Sequence, residues 1–247
     1  FFIWREMTYQ FPIVNLRVLK DGNLRIGTLM TFILGFGLYG STFIIPLYTQ
    51  SILGWTATDA GLILVPSSLT TAILMPFIGK MIQKGIPQSY MVAAGFFIFF
   101  LFSYWMHTQM TPDTGVEHFF WPLILRGVGL GLLFVPITTL ALSTLTGKSI
   151  GEGAAMTGMM RQLGGSFGIA IITTFIARFN QEHRVNLISH LDPTKINVQE
   201  RITALQRGFM SKGFSYDVAL EKAHQVLDYT VTKQSTVLSY MDVFLYL

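Results

Sequence analysis

The sequence predicts an all-α protein that crosses a membrane several times. Three observations carry this. Charged residues make up 12% of the chain and hydrophobic residues 51%, whereas a water-facing domain carries about 25% charged residues. Mean hydropathy is +0.51, so there is more apolar surface than a soluble globule hides, and hydrocarbon is the solvent that accepts it. Five stretches reach the roughly 20 mostly apolar residues that a spanning helix needs, and a sixth begins near the end of the chain.

The segment 1–23 holds Arg5, Arg17 and Lys20. Because the chain opens on Phe1 rather than Met, it is expected to begin inside a longer protein, with 1–23 a cytoplasmic segment after a preceding helix. The first span is expected over 24–47 and the second over 60–82, with Asp59 capping the second together with Thr58. The third, 90–106, crowds Phe96, Phe97, Phe99, Phe100, Phe102, Tyr104 and Trp105 together. A helix that is apolar all round offers a cavity no polar face. It is therefore expected to face lipid, anchored by Tyr104 and Trp105, with an aromatic ligand box as the sharper alternative. The fourth and fifth spans cover 119–145 and 154–179, and Glu152 stands as a cap before the fifth. Residues 180–236 are polar, but Ile202, Leu205 and Phe209, then Val218, Ala219, Val226 and Leu227, repeat at helical spacing. They predict a helical hairpin, with a solvated linker as the bland alternative. Residues 237–247 read as the truncated start of a last span.

Positive residues in short loops mark the cytoplasmic side. Arg25 joins the basic residues before the first span, Lys80 and Lys84 lie between spans two and three, and Lys148 lies between four and five. The loops 48–58 and 108–118 hold no Lys or Arg, and the latter has Asp113 and Glu117. The N-terminal end is thus cytoplasmic and the hairpin extracytoplasmic.

Two strings imitate enzyme motifs. Gly164-Gly165-Ser166-Phe167-Gly168 matches the hydrolase pattern G-x-S-x-G, which needs a strand, a tight turn and a helix; here it sits inside an apolar helix. Gly127-Val128-Gly129-Leu130-Gly131 lacks the last glycine, the preceding strand and the later acid of a dinucleotide fingerprint. The histidines, His107, His118, His183, His190 and His224, have no metal-ligand spacing. No metal, cofactor or nucleic acid is implied. Gly127 with Gly131, and Gly164 with Gly168, are four apart on one helix face, the spacing that lets helix backbones approach in lipid. Pro46, Pro66, Pro76 and Pro136 suggest bent, mobile spans.

Arg126 and Arg161 each lie about two turns inside a span. A central Arg costs roughly 2.5–3.5 kcal/mol to insert, so such a residue faces a cavity or a partner. The bland alternative is a snorkelling side chain or one tied to backbone carbonyls. Gln162 adds a polar neighbour to Arg161. No complete span carries a central carboxylate; Asp242 lies near the start of the last one. A proton-coupled carrier needs a titratable group in the membrane, so that acid is expected in a part of the protein outside this chain.

Three strings carry a family likeness: Gly54-Trp55-Thr56-Ala57-Thr58-Asp59-Ala60-Gly61-Leu62 with Pro66; Arg126-Gly127-Val128-Gly129-Leu130-Gly131 with Pro136; and Arg161 through Ala170 (RQLGGSFGIA). The polar loop ending at Gln234, followed by Tyr240-Met241-Asp242-Val243-Phe244, fits the same pattern. In this order they resemble the 14-helix drug:proton antiporter branch of the major facilitator superfamily, the multidrug-resistance protein B and quaternary-ammonium-exporter type. The resemblance covers essentially the whole chain. It implies the C-terminal six-helix bundle of such a transporter, its helices 9 to 14, with an extracytoplasmic hairpin insertion and a missing N-terminal bundle across a central cavity. It places Tyr39, Thr42, Arg126, Thr138 and Thr139 on cavity-lining helices; Arg161, Gln162 and Asp242 stand, from their own positions in or near the spans, as intramembrane polar or coupling candidates. The family's latch, Gly-x-x-x-Asp-Arg-x-Gly, reads here Gly79-Lys80-Met81-Ile82-Gln83-Lys84-Gly85-Ile86, with Gln83 in place of the acid and the second glycine shifted.

The implied function is proton-driven efflux of small amphipathic substrates across a bacterial inner membrane, with lipid around it and, in some family members, a periplasmic adaptor. Two other classes stay open: a same-fold exporter of one sugar, siderophore or lipid precursor, and a non-transporting scaffold subunit.

Overall fold

Each apolar run becomes a helix whose ends are set by local chemistry. The computed structural model describes residues 16–112, 114–192 and 195–247. Residues 1–15, with Phe1 and Arg5, and Asp113 lie outside the described residues. A 3₁₀ turn, Leu16–Lys20, leads into α1 (Gly22–Ser51), α2 (Ala57–Leu62), α3 (Val65–Gln83), α4 (Gln88–Gln109), α5 (Val116–Leu142), α6 (Lys148–Ser189), α7 (Ile196–Met210) and α8 (Tyr216–Phe244). Among the described residues there is no strand. Among the described residues, five spans are long and apolar enough to cross a membrane: α1, α2 with α3, α4, α5 and α6.

Asp21 caps α1. Its carboxylate accepts the Leu24 N–H at 2.9 Å and the Thr144 hydroxyl at 2.8 Å, which ties the α5–α6 loop to the start of α1. Those bonds, the Leu24 one foremost, hold the carboxyl below its ordinary range. The second span is broken rather than continuous. Pro66 has no N–H to give to Leu62, so the helix ladder is interrupted and α3 restarts at Val65. The cap of α2 is Thr56, not Thr58. Thr56 Oγ1 accepts the Asp59 N–H at 3.2 Å and donates to the Asp59 carboxylate at 2.7 Å. At the other end Gly85, at φ +86°, terminates α3 through bonds from Gly85 N–H to Ile82 O and from Ile86 N–H to Met81 O. The shifted glycine of the latch string is thus a helix stop.

α1 and α6 form the closest pair. A Cβ built on Gly164 falls 2.0 Å from the Phe32 carbonyl oxygen, and one on Gly35 falls 2.1 Å from the Arg161 carbonyl oxygen. Only hydrogen fits at either place. Gly168 faces Phe36 at 2.9 Å, and Gly127 brings α5 to within 2.4 Å, measured from such a Cβ, of the Ser67 carbonyl on α3. Gly131 is looser, meeting Ile78 at 3.4 Å. α4 packs on α5 and on the end of α8.

The third span, expected to face lipid, is exposed on one side only. Phe99 and Phe102 are buried, Phe102 edge-on against Phe244 at 6.1 Å, while Phe97, Phe100, Tyr104 and Trp105 are exposed. A helix apolar on every side gives no sign of which side packs, and here one side belongs to the core. The core runs from Leu34 and Ile137 to the end of the bundle where α1 and α4 finish and α5 starts. Tyr48, Phe119 and Tyr240 meet there, with Tyr48 Oη donating to Thr111 O at 2.6 Å.

The hairpin forms from α7 and the first part of α8. α6 runs on as one helix to Ser189, ten residues past the expected end at 179, and α8 continues without a break through position 237 to Phe244. Polar side chains do not stop a helix when they find partners: Asn180 bonds Ser235 and Thr236 across the α6–α8 seam at 3.0 and 2.9 Å, and Arg184 meets Asp228 at 2.7 Å.

Candidate functional site

Arg126 projects from α5 between α1 and α3 and is 3% exposed. Nε donates to Ser41 Oγ at 2.9 Å and Nη1 to Ser67 Oγ at 2.9 Å. Nη2 donates to the Leu38 carbonyl at 3.2 Å and to Thr42 Oγ1 at 2.5 Å. The two α1 hydroxyls are oriented for this. Ser41 gives its proton to Gly37 O and Thr42 to Leu38 O, which leaves their lone pairs for the guanidinium. Close packing at Gly127 brings Ser67 within reach, and Thr71 on α3 donates to Gly127 O at 2.9 Å. One side chain therefore ties three helices together.

All four acceptors are neutral, and no described carboxylate pairs with Arg126. The ion pairs Arg178–Glu182, His183–Asp242 and Arg184–Asp228 lie toward the hairpin.

Beside Arg126 opens a cleft of about 300 Å³, walled by Leu38, Met75, Leu130 and Phe134 and carrying the hydroxyls of Thr42, Ser67, Ser68 and Thr71. Larger cavities exist. One of about 510 Å³ at Met30, Phe96 and Ile137 is almost wholly hydrocarbon. Another of about 390 Å³ lies at Trp55, Asp59 and Phe120. Ligand sites combine apolar walls with a few convergent polar groups. The Arg126 cleft has that combination with a buried charge in it, whereas the charge in the third cavity, Asp59, is exposed.

Arg161 stands next to this cleft. Its guanidinium carbon lies 4.4 Å from the centre of the Phe134 ring, and Phe134 also walls the cleft. Two turns of α5 separate Arg126 from Phe134, a rise of about 12 Å. Gln162 accepts the Tyr39 hydroxyl at 3.1 Å, and the Tyr39 ring fills the space over Gly165. Tyr39 thus binds α1 to α6 and is not one of the hydrogen-bond partners of Arg126. Thr138 is half-buried and Thr139 exposed; each bonds a carbonyl of its own helix, Phe134 O and Val135 O, outside the Arg126 network. Asp242 is in the last turn of α8, not at the start of a helix. It pairs with His183 on α6 at 2.7 Å, and Met241 O of the same turn meets His107 Nδ1 at 2.8 Å. Sequence reasoning missed Ser41 and Ser67. Ser41 stands beside Thr42 and Ser67 beside Ser68, and only their positions opposite Arg126 mark them out from these neighbours.

The family model described as Major Facilitator Superfamily matches residues 5–169. The chain belongs to the major facilitator superfamily. This superfamily chain aligns over 246 residues, 99% of its length, with the fatty acid resistance protein FarB of Neisseria gonorrhoeae at 29% identity, covering 46% of that protein. It aligns over 242 residues, 98% of its length, with the multidrug export protein EmrB of Escherichia coli (strain K12) at 27% identity, covering 45% of it. EmrB of Haemophilus influenzae is 31% identical over 194 residues, 77% of this chain and 37% of that protein. The chain thus spans less than half the length of the curated relatives it matches. A superfamily of membrane transporters, not enzymes, accounts for the G-x-S-x-G string: Gly164 and Gly168 pack against α1.

Proposed function

We propose that the full-length protein is a secondary active exporter of amphipathic compounds in a bacterial inner membrane, with the described bundle as one of two that rock around a central site. The observation that carries this reading is the cleft at Arg126, a buried charge among hydroxyls with apolar walls on both sides. The flanking helices support it. α3 leaves Leu69, Ile73 and Phe77 exposed, and α6 leaves Leu163, Phe167 and Ile171 exposed, apolar ridges that a second bundle or lipid would cover. The names of the relatives, multidrug export and fatty acid resistance, support efflux of apolar or amphipathic molecules. Proton influx drives the cycle, with the titrating acid in the other bundle. The hairpin stands on the outer side, where a periplasmic adaptor has access to it.

The test is reconstitution of the full-length protein in vesicles with an imposed pH gradient. Uptake of a fluorescent amphiphile into inside-out vesicles is expected to follow the gradient and stop when a protonophore collapses it. Uptake indifferent to the gradient overturns the coupling, and no uptake of any amphiphile overturns the reading as a whole.

A further inference from the structure

We propose that the Arg126 cleft is a carboxylate subsite, which makes the protein's preferred cargo an anionic amphiphile; this rests on the transport reading above and narrows it. The guanidinium is 3% exposed, and its four bonds go to three hydroxyls and one carbonyl, none of which carries charge. A buried cation that finds only neutral acceptors keeps most of its desolvation cost, and a carboxylate in a low-dielectric pocket offsets it far better. Arg161 does not line the cleft but stacks its guanidinium on the Phe134 ring, one of its walls, so no acid enters from that side either. The cleft therefore holds an excess of positive charge and no described carboxylate.

The shape fits the same ligand class. Thr42, which receives Nη2, is itself exposed, so the charged end of the cleft is open to an incoming group. Ser68 and Thr71 line the same cleft with their hydroxyl protons given to Leu64 O and Gly127 O, so the guanidinium is the group that answers the carboxylate. Beyond the head, Leu130, Phe134 and Met75 provide an apolar track for a hydrocarbon tail. A quaternary ammonium compound gains from that track and is repelled by the head, so charge decides between two molecules with the same tail.

The experiment uses the full-length protein in phosphatidylcholine nanodiscs. Binding of labelled dodecanoate, dodecyltrimethylammonium and dodecanol is measured after subtraction of empty discs. Wild type is expected to hold dodecanoate at least tenfold more tightly than the other two. Arg126→Gln is expected to erase that preference and Arg126→Lys to keep part of it. Because Arg126 also ties three helices, Thr42→Asp provides the second arm. It retains Arg126, places a carboxylate at the Nη2 position, and is expected to melt higher than wild type while losing dodecanoate by at least tenfold.

Equal binding of all three probes by wild type overturns the proposal. So does a Thr42→Asp protein that holds dodecanoate as wild type does. If an acid of the second bundle already neutralises Arg126, wild type shows no carboxylate preference, and the proposal fails in the same way. Dodecanoate binding lost in Thr42→Asp, but without gradient-driven movement of any amphiphile, supports the subsite and sinks the transport reading. Gradient-driven movement of the ammonium probe alone does the reverse.

Discussion

Replacing Gly164 with alanine tests the helix-packing argument directly, because the same substitution has an opposite outcome six residues away. At Gly164 the new Cβ would lie 2.0 Å from the Phe32 carbonyl oxygen and 2.8 Å from its carbon, where ordinary contact begins at 3.4 Å. The obstacle is backbone, which has no rotamer to change. α1 and α6 must part locally by the difference, about 1.4 Å. A gap of 0.5–1 Å already forfeits about a quarter to a half of a contact's dispersion energy, and overpacking of this kind costs about 1–3 kcal/mol. At Gly158, on the same helix, nothing lies within 4 Å of the added Cβ, so only the helix-propensity gain of about 1 kcal/mol remains. Gly164→Ala is therefore expected to be less stable by about 1–2 kcal/mol, and Gly158→Ala to match or exceed wild type. Thermal melting of the full-length protein in detergent, followed by size exclusion, reads both. Two variants that melt together would refute the claim that the α1–α6 contact needs glycine.

Three further outcomes are expected. Ser67→Ala removes a buried acceptor from a charged donor and should lower stability by about 1.5–3 kcal/mol, read as a lower melting temperature. The Asp21 carboxyl titrates below its ordinary 3.8 when folded. Its contribution is full above 3.8 and fades as pH falls through the lower, folded value, so Asp21→Asn should flatten the acid limb of a melting-versus-pH curve. A double-mutant cycle with Arg161→Met and Phe134→Leu should return a coupling of about 0.5–2 kcal/mol for a half-buried cation over a ring; zero coupling would make the stacking incidental.

Much of this architecture is written in the chain as long apolar runs, because a spanning segment must satisfy its own backbone and has little choice but helix. What the runs do not encode is orientation about the helix axis. Phe99 and Phe100 are neighbours of equal hydrophobicity, yet one is in the core and the other is exposed. The break at Pro66 was visible only as a proline inside a run. The continuity of α8 was hidden because Lys233, Gln234 and Ser235 look like a membrane boundary, while a helix passes through them undisturbed. At the candidate site, Arg126 stood out because charge in hydrocarbon is costly. Its partners did not, since Ser41 and Ser67 are 85 and 59 residues away along the chain and ordinary in their own surroundings. Asp242 was legible as an acid, but its histidine belongs to a different helix.

The uninterrupted course of α6 makes it a lever. Its 42 residues give a rod about 63 Å long, roughly twice the thickness of the hydrocarbon layer. A tilt of about 10° around its middle would carry each end sideways by roughly 5 Å. Since Asn180 and Arg184 fasten the far arm to α8, the hairpin would be swung along with it, and rotation in the bilayer would become displacement outside it without any slack joint in between.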